Sequence, residues 1–144
     1  MTTIKFLLAH SEAKLPQYQD VGCSGMDVRS VEDLVLEPGG IEIVKTGLKP
    51  VIPVGLEIQV RSRSGMAAKH GVAVLNSPGT IDASYRGEIG VILINHGPAP
   101  YTIRVGDRIA QLVVAKVEMV QVEATDSLPE TTRGEGGFGS TGTK

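Results

Sequence analysis

The chain has 144 residues, 14 basic and 16 acidic side chains, and a formal net charge of −2; it carries three Tyr, two Phe, no Trp and 18 Gly. This length suits one ordinary domain whose core must be built from Val, Ile and Leu. So few rings exclude a stacking platform for single-stranded nucleic acid, and the near-neutral charge excludes a general duplex binder, so no nucleic-acid partner is expected.

In chain order, the N-terminal apolar stretch is short and broken by Lys5, with His10 and Glu12 close behind, which does not make a signal peptide. No apolar run approaches the ~20 residues of a membrane span. A cytoplasmic chain with no membrane partner is expected. The lone cysteine, Cys23, leaves no intrachain disulfide and no Cys-rich zinc site, which fits a reducing compartment. Pairing of Cys23 with His10, His70 or His96 for nucleophilic catalysis lacks any local motif, and Cys23 reads as a small buried or half-buried thiol.

Ile41-Glu42-Ile43 alternates in miniature, and Val54 to Arg61 alternates strictly, the pattern of a strand with one buried face. Ser64 to His70 is the one helical stretch: Ser64 is suited to the N-cap, Met66-Ala67-Ala68-Lys69 are good helix formers, and Gly71 is a natural stop. Gly90 to Ile94 is apolar on both faces, so it reads as a strand buried on both sides. Ile103-Arg104-Val105 alternates again. Val113, Ala115, Val117 and Met119 share one phase and Val120 and Val122 the other, which a bulge or bend near Met119 would explain. Turn signals at Pro38-Gly39-Gly40, Lys49-Pro50, Ser77-Pro78-Gly79 and Gly97-Pro98-Ala99-Pro100 punctuate these runs. Many short strands so separated point to a sandwich, jelly roll or barrel. From about Thr125 the composition changes, and the last eleven residues hold five glycines, one aromatic side chain and no aliphatic one. Composition there suits a flexible tail.

Three segments carry chemistry. Between Glu57 and Asp82 there is no acid, while Arg61, Arg63 and Lys69 lie in the gap, and Arg63 and Ser64 open the helix where free N–H groups favour an anion. Val74 to Glu88 leads through a Pro-Gly turn to an acid, Asp82, and an aromatic, Tyr85, and resembles a hairpin whose backbone could read a flat ligand. In the tail, Gly134-Glu135-Gly136-Gly137-Phe138-Gly139 matches the dinucleotide pattern literally, but no strand precedes it and no helix follows. A Walker-like reading of Gly137 to Lys144 ends Thr143-Lys144, in the wrong order. What remains is that Arg133 followed by glycines and small hydroxyls can wrap phosphate oxygens with backbone N–H groups.

Five segments taken together resemble the trimeric dUTP diphosphatase (dUTPase) family, from about Gly22 to Gly142. They are Ser24 to Ser30 (SGMDVRS), Arg63 to Ala67 (RSGMA), Asn76 to Gly87, Gly106 to Leu112 (GDRIAQL), and Arg133 to Gly142 (RGEGGFGSTG). The resemblance implies an all-β, distorted jelly-roll barrel with one short helix, assembled as a homotrimer. Residues 1–125 would form the catalytic body and residues 126–144 a flexible C-terminal arm closing over a neighbouring subunit's site. It implies Mg²⁺-dependent hydrolysis of dUTP to dUMP and diphosphate, supplying dUMP for thymidylate synthesis and keeping uracil out of DNA.

Residue by residue, the resemblance makes Asp82 the group that orients and activates the attacking water, since an ionised carboxylate can accept a proton. Asp27 would reach the metal through water, the ion itself being held mainly by phosphates and water. Arg63, Ser64, Gly65 and Gln111 would grip the phosphates from the body, and Arg133, Gly139, Ser140 and Thr141 from the arm. Asn76, Gly79 and the backbone of Thr80, Ile81 and Gly90 would read uracil. Tyr85 would lie under the deoxyribose, leaving no room for a 2′-hydroxyl, and Phe138 would cap the base. Three positions depart from common family patterns: Ser62 where Pro is frequent, Ser84 where an acid is, and Gly90 where a longer side chain is. A dCTP deaminase, which shares the fold, would carry Glu where this chain has Ile92 and Ser-Ser-Leu-Ala where it has Ser64 to Ala67. A jelly-roll trimer that binds without turnover would show a damaged site, whereas Asp27, Arg63, Asp82, Gln111 and Phe138 are all present.

Overall fold

The computed structural model describes residues 2–140. Among these, eleven strands and one helix follow one another: β1 (Lys5–Leu8), β2 (Met26–Arg29), β3 (Leu34–Leu36), β4 (Ile41–Lys45), β5 (Leu48–Val51), β6 (Leu56–Arg61), α1 (Ser64–His70), β7 (Val72–Val74), β8 (Gly79–Ile81), β9 (Gly90–Asn95), β10 (Tyr101–Ile103) and β11 (Arg108–Lys116). All pairings are antiparallel. The largest sheet runs β2-β11-β6-β8 and a second runs β4-β9-β7, with the pairs β1-β5 and β3-β10 closing the sides. Sequence neighbours seldom pair, so the chain crosses repeatedly between sheets, as in a distorted jelly-roll barrel.

The core is aliphatic, as the composition requires. Its largest fully buried side chains include Leu36, Leu48, Ile58, Leu93, Ile103 and Leu112, and no ring is among them. Each such side chain contributes roughly 1.5–3 kcal/mol by leaving water. In β6, Ile58 and Val60 point inward and Glu57 and Gln59 outward, the alternation expected of one buried face, but the strand begins at Leu56, and Val54, 94% exposed, lies in the turn before it. Buried Asn95 is fully satisfied: its Nδ2 donates to the carbonyls of Leu36 and Ala99 (2.9 and 2.8 Å), and its Oδ1 accepts from Gly97 N–H at 2.8 Å.

α1 ends at Gly71, whose φ of +70° is the left-handed conformation that suits glycine. A Cβ there would lie 2.6 Å from the Gly97 backbone nitrogen, so Gly71 also permits a close approach of two loops. At the other end Arg63, not Ser64, stands at the N-cap, without a side-chain cap. Its guanidinium is engaged elsewhere, as described below.

Five further expectations change. Ile41 and Ile43 are 52% and 62% exposed, while Val44 is buried. The register explains this: Val44 opposes Val91 on the inward face, whereas Ile41 opposes Ile94 and Ile43 opposes Ile92. The outward side of β9 is therefore aliphatic but only half-covered, not buried. Val74 to Glu88 is not a hairpin, because β7 and β9 belong to one sheet and β8, between them in sequence, to the other. No bulge falls near Met119; β11 has already ended at Lys116, and the register shift lies between Arg108 and Ala110. The apolar phase change at Val120 and Val122 belongs to exposed, irregular chain. Cys23 is exposed rather than buried, because it sits in the loop before β2 instead of on a core-facing strand.

Candidate active site

The β2-β11-β6-β8 sheet has a core side and an outward side. Val28, Ala110, Leu112, Ile58, Val60 and Ile81 face the core. Register places Asp27 opposite Gln111 and Gln111 opposite Arg61, and two residues earlier on β6 it places Gln59 opposite Thr80, so polar residues step across the outward side from β2 to β8. Three strand spacings of about 4.8 Å set β2 and β8 roughly 14 Å apart across the sheet. A concavity lies at each end.

At the β2 end, Asp27, Arg63, Ser64, Gly65 and Gln111 line a small, predominantly polar hollow. Asp27 is held between two cations: Arg63 Nε donates to Oδ1 at 3.2 Å and Arg108 Nη1 to Oδ2 at 3.0 Å. Arg63 Nη1 also donates to the Arg108 carbonyl at 3.0 Å. Two guanidinium groups against one carboxylate leave a net positive cluster, and Arg63 keeps further N–H groups for an anion. Gln111 Nε2 donates to the Ser62 carbonyl at 2.9 Å, and Gly25 packs so close to the Gln111 side chain that a Cβ would collide with it. Ser62 also accepts the Val74 N–H on its hydroxyl at 2.8 Å, a bond that Pro at this position could not make. That bond ties the end of β6 to β7.

At the β8 end, Thr80, Ile81, Asp82, Tyr85, Glu88, Ile89 and Gly90 line a cavity of about 150 Å³. The Asp82 carbonyl accepts the Tyr85 N–H at 3.1 Å, which curls the loop after β8. The Tyr85 hydroxyl donates to the Glu88 carbonyl at 2.8 Å and closes the same loop. Gly87 lies under that ring, and a Cβ there would meet Tyr85 Cζ at 2.6 Å. The Asp82 carboxylate is exposed and has no hydrogen-bond or ion-pair partner among the described residues. It is free to accept from water. Asn76 is exposed and does not line this cavity; its amide lies beside Gly79, where a Cβ would be 3.2 Å from Nδ2.

The family model for dUTPase matches residues 11–142. The chain belongs to the dUTPase family. It is 52% identical over 142 residues to the deoxyuridine 5'-triphosphate nucleotidohydrolase of Syntrophotalea carbinolica, with 97% of each chain covered. To the enzyme of the same name from Picosynechococcus sp. it is 49% identical over 140 residues, covering 97% of this chain and 99% of the relative. Among solved structures, a dUTPase mutant of Staphylococcus bacteriophage 80alpha with dUpNHpp superimposes with a TM-score of 0.91 at 27% identity, covering 99% of both chains. A mutant dUTPase from phage phi11 of S. aureus, described as coordinating a structural Mg(II) ion, gives a TM-score of 0.82 at 26% identity, covering 88% of this chain and 98% of the other.

Set against the residues expected for a dUTPase, the structure brings Asp27, Arg63, Ser64, Gly65 and Gln111 together, and Thr80, Ile81, Asp82, Tyr85 and Gly90 together. Neither group includes the arm. Arg133, Phe138, Gly139 and Ser140 lie in exposed local turns, with Arg133 Nε donating to the Gly136 carbonyl at 2.8 Å and Ser140 N–H to that of Gly137 at 3.0 Å. Thr141 lies outside the described residues. Two contributors were not singled out from sequence: Arg108, the second cation on Asp27, and Glu88 in the Asp82 cavity. Arg108 stood inside the GDRIAQL segment, and its placement beside Asp27 follows only from the pairing of β11 with β2.

Arg61, one of the three cations of the acid-free stretch, donates through Nε to Gln59 Oε1 at 3.1 Å, and Lys69 lies in the last turn of α1. Only Arg63 of the three joins a hollow. Among the described residues no group of three or more His, Cys, Asp or Glu side chains is placed to cage a metal, and no helix is long and apolar enough to cross a membrane.

Proposed function

We propose that this dUTPase hydrolyses dUTP to dUMP and diphosphate with Asp82 as the catalytic residue. What carries the reading is one cavity that joins an unpartnered carboxylate, Asp82, to a ring, Tyr85, and to the backbone of Thr80, Ile81 and Gly90. Uracil offers alternating acceptors and donors on its edge, which backbone groups and the Asn76 amide can match. The Tyr85 ring forms the floor for the sugar. Asp82 accepts a proton from water as its oxygen bonds to the α-phosphorus. The bond from that phosphorus to the bridging oxygen breaks, and diphosphate leaves with its electron pair. Arg63, Ser64, Gly65 and Gln111 take the phosphates, where the excess positive charge around Asp27 offsets charge developing on them.

The donor set fits Mg²⁺ brought in by the triphosphate and not a metal caged by protein, because Asp27 is the one carboxylate of that hollow and already accepts from two arginines. Its remaining lone pairs suit an indirect contact through metal-bound water. When bound, the ion would neutralise phosphate charge.

A homotrimer belongs to the same reading, supported by the aliphatic outward face of Ile41, Ile43, Ile92 and Ile94 and by exposed Val120, Val122 and Leu128, which a second copy would cover. Residues 1–125 act as the body and 126–144 as an arm that reaches a neighbour's site. Action in the cytoplasm, on a free nucleotide and without nucleic acid or membrane, completes the proposal.

The test is diphosphate release with Mg²⁺ from dUTP, dTTP, dCTP and UTP. Turnover of dUTP is expected to exceed the others by about 10²-fold or more, and equal rates across the four would end the proposal. In Tyr85→Ala the floor under the sugar is gone, so UTP is expected to gain on dUTP by about tenfold or more. Unchanged discrimination against UTP in that variant would remove the steric role.

A further inference from the structure

The loop that carries Asp82 and Tyr85 is not held only by its own hydrogen bonds. Glu88 Oε1 accepts the Gly47 N–H at 2.8 Å. Beside it, the Thr46 hydroxyl donates to the Ile89 carbonyl at 2.6 Å, and the Ile89 N–H donates to the Leu48 carbonyl at 2.8 Å. Thr46 is 1% exposed and Ile89 2% exposed, so water does not compete for the two bonds that Ile89 makes. Gly47, at φ +67°, is itself wedged where a Cβ would lie 2.7 Å from that of Ala13 and 2.8 Å from that of His10. The β4–β5 connection is thus a fixed wall, and Glu88 to Ile89 is fastened to it by three bonds.

Glu88 also connects in the other direction, to Tyr85. Its carbonyl receives the Tyr85 hydroxyl, while its carboxylate reaches the wall. One residue therefore links the ring in the cavity to a rigid part of the barrel. Resting on the reading of Tyr85 as the floor under the sugar, we infer that Glu88 is a positioning residue for sugar selection. Its carboxylate, held by Gly47, sets where the Glu88 carbonyl lies, and the carbonyl sets the tilt and depth of the Tyr85 ring. Discrimination at the 2′ carbon depends on distances shorter than one methylene, so freeing this anchor widens the floor without touching Asp82 or the phosphate hollow.

The test compares kcat/KM for dUTP and UTP, by diphosphate release with Mg²⁺, in the full chain and in Glu88→Ala, Glu88→Gln, Tyr85→Phe and the Glu88→Ala/Tyr85→Phe pair. Glu88→Ala is expected to lower the dUTP-to-UTP ratio about tenfold, the scale of one charge-assisted hydrogen bond passed on to the site. Glu88→Gln keeps an acceptor oxygen and is expected to hold the ratio near that of the natural chain. Tyr85→Phe cuts the same link at its other end, so it is expected to lower the ratio too, and the pair to lower it no further. An unchanged ratio in Glu88→Ala overturns the inference, as does an equal loss on both nucleotides, which is what a merely structural role would give.

If Glu88→Ala does not fold, Glu88→Asp takes its place. Its carboxylate is one methylene short of Gly47, so the same drop is expected and an unchanged ratio again overturns the inference. Failure of the parent reading looks different: the natural chain releases no diphosphate from dUTP, or Tyr85→Ala leaves selection untouched.

Discussion

Asp82→Asn is expected to bind dUTP with nearly natural affinity and to hydrolyse it at least about 10²-fold more slowly, a barrier increase of about 2.7 kcal/mol or more. The amide has the size and shape of the carboxylate, and the carboxylate has no hydrogen-bond or ion-pair partner among the described residues, so the exchange breaks no internal contact. The loop keeps its form because Tyr85 bonds to the Asp82 main chain, not to its side chain. What is lost is the capacity to take a proton. Equilibrium binding of dUTP and single-turnover diphosphate release, measured on the same preparation, separate the two effects. Turnover within a few-fold of the natural chain would mean that another group activates the water. A large rise in dissociation constant would make Asp82 a binding group instead.

How far the sequence could be read depended on whether each element's environment was local. Strand β6 was legible because its alternation registers one buried face, and α1 because good helix formers stop at a glycine that adopts φ +70°. The aliphatic core followed from composition alone. Ile41 and Ile43 were misplaced because nothing in a three-residue pattern says which face of β4 turns to the core; the buried pair Val44 and Val91 decides it. Val74 to Glu88 looked like a hairpin because turn signals do not say that flanking strands join different sheets.

The site divides in the same way. Segments whose residues are contiguous, such as Arg63 to Gly65 and Thr80 to Tyr85, came out together in space. The long-range partners, Arg108 on Asp27 across the β11–β2 pairing and Glu88 on Gly47 across 41 residues, needed the fold. Resemblance to dUTPases names the first group because those residues lie within motifs. It was silent on Glu88, whose role lies in a contact.

Removing residues 133–144 is expected to leave a folded body and to lower dUTP hydrolysis by about 10²-fold or more. The first half of that expectation rests on packing. Among the described residues, the buried cluster and the half-buried side chains packed on it extend no further along the chain than Val114, so the truncation takes none of these from the core. The melting temperature should therefore stay put. The second half rests on where the arm's groups are and what they can supply. Arg133 spends its Nε on Gly136, and Phe138 stands fully exposed between two glycines with φ +46°, an uncommon conformation for an aromatic residue. Neither side chain lines either of the two hollows described above. An apolar ring left in water gains by covering a flat base, and an arginine released from a local turn gains by meeting phosphate oxygens. Closing the arm would also exclude bulk water, which strengthens each charge interaction around the phosphates. Steady-state diphosphate release before and after truncation, with sedimentation to follow assembly, checks both halves. An unaltered rate would make the glycine-rich segment an appendage, whereas a lower melting temperature or lost assembly would give it a structural role instead of a catalytic one.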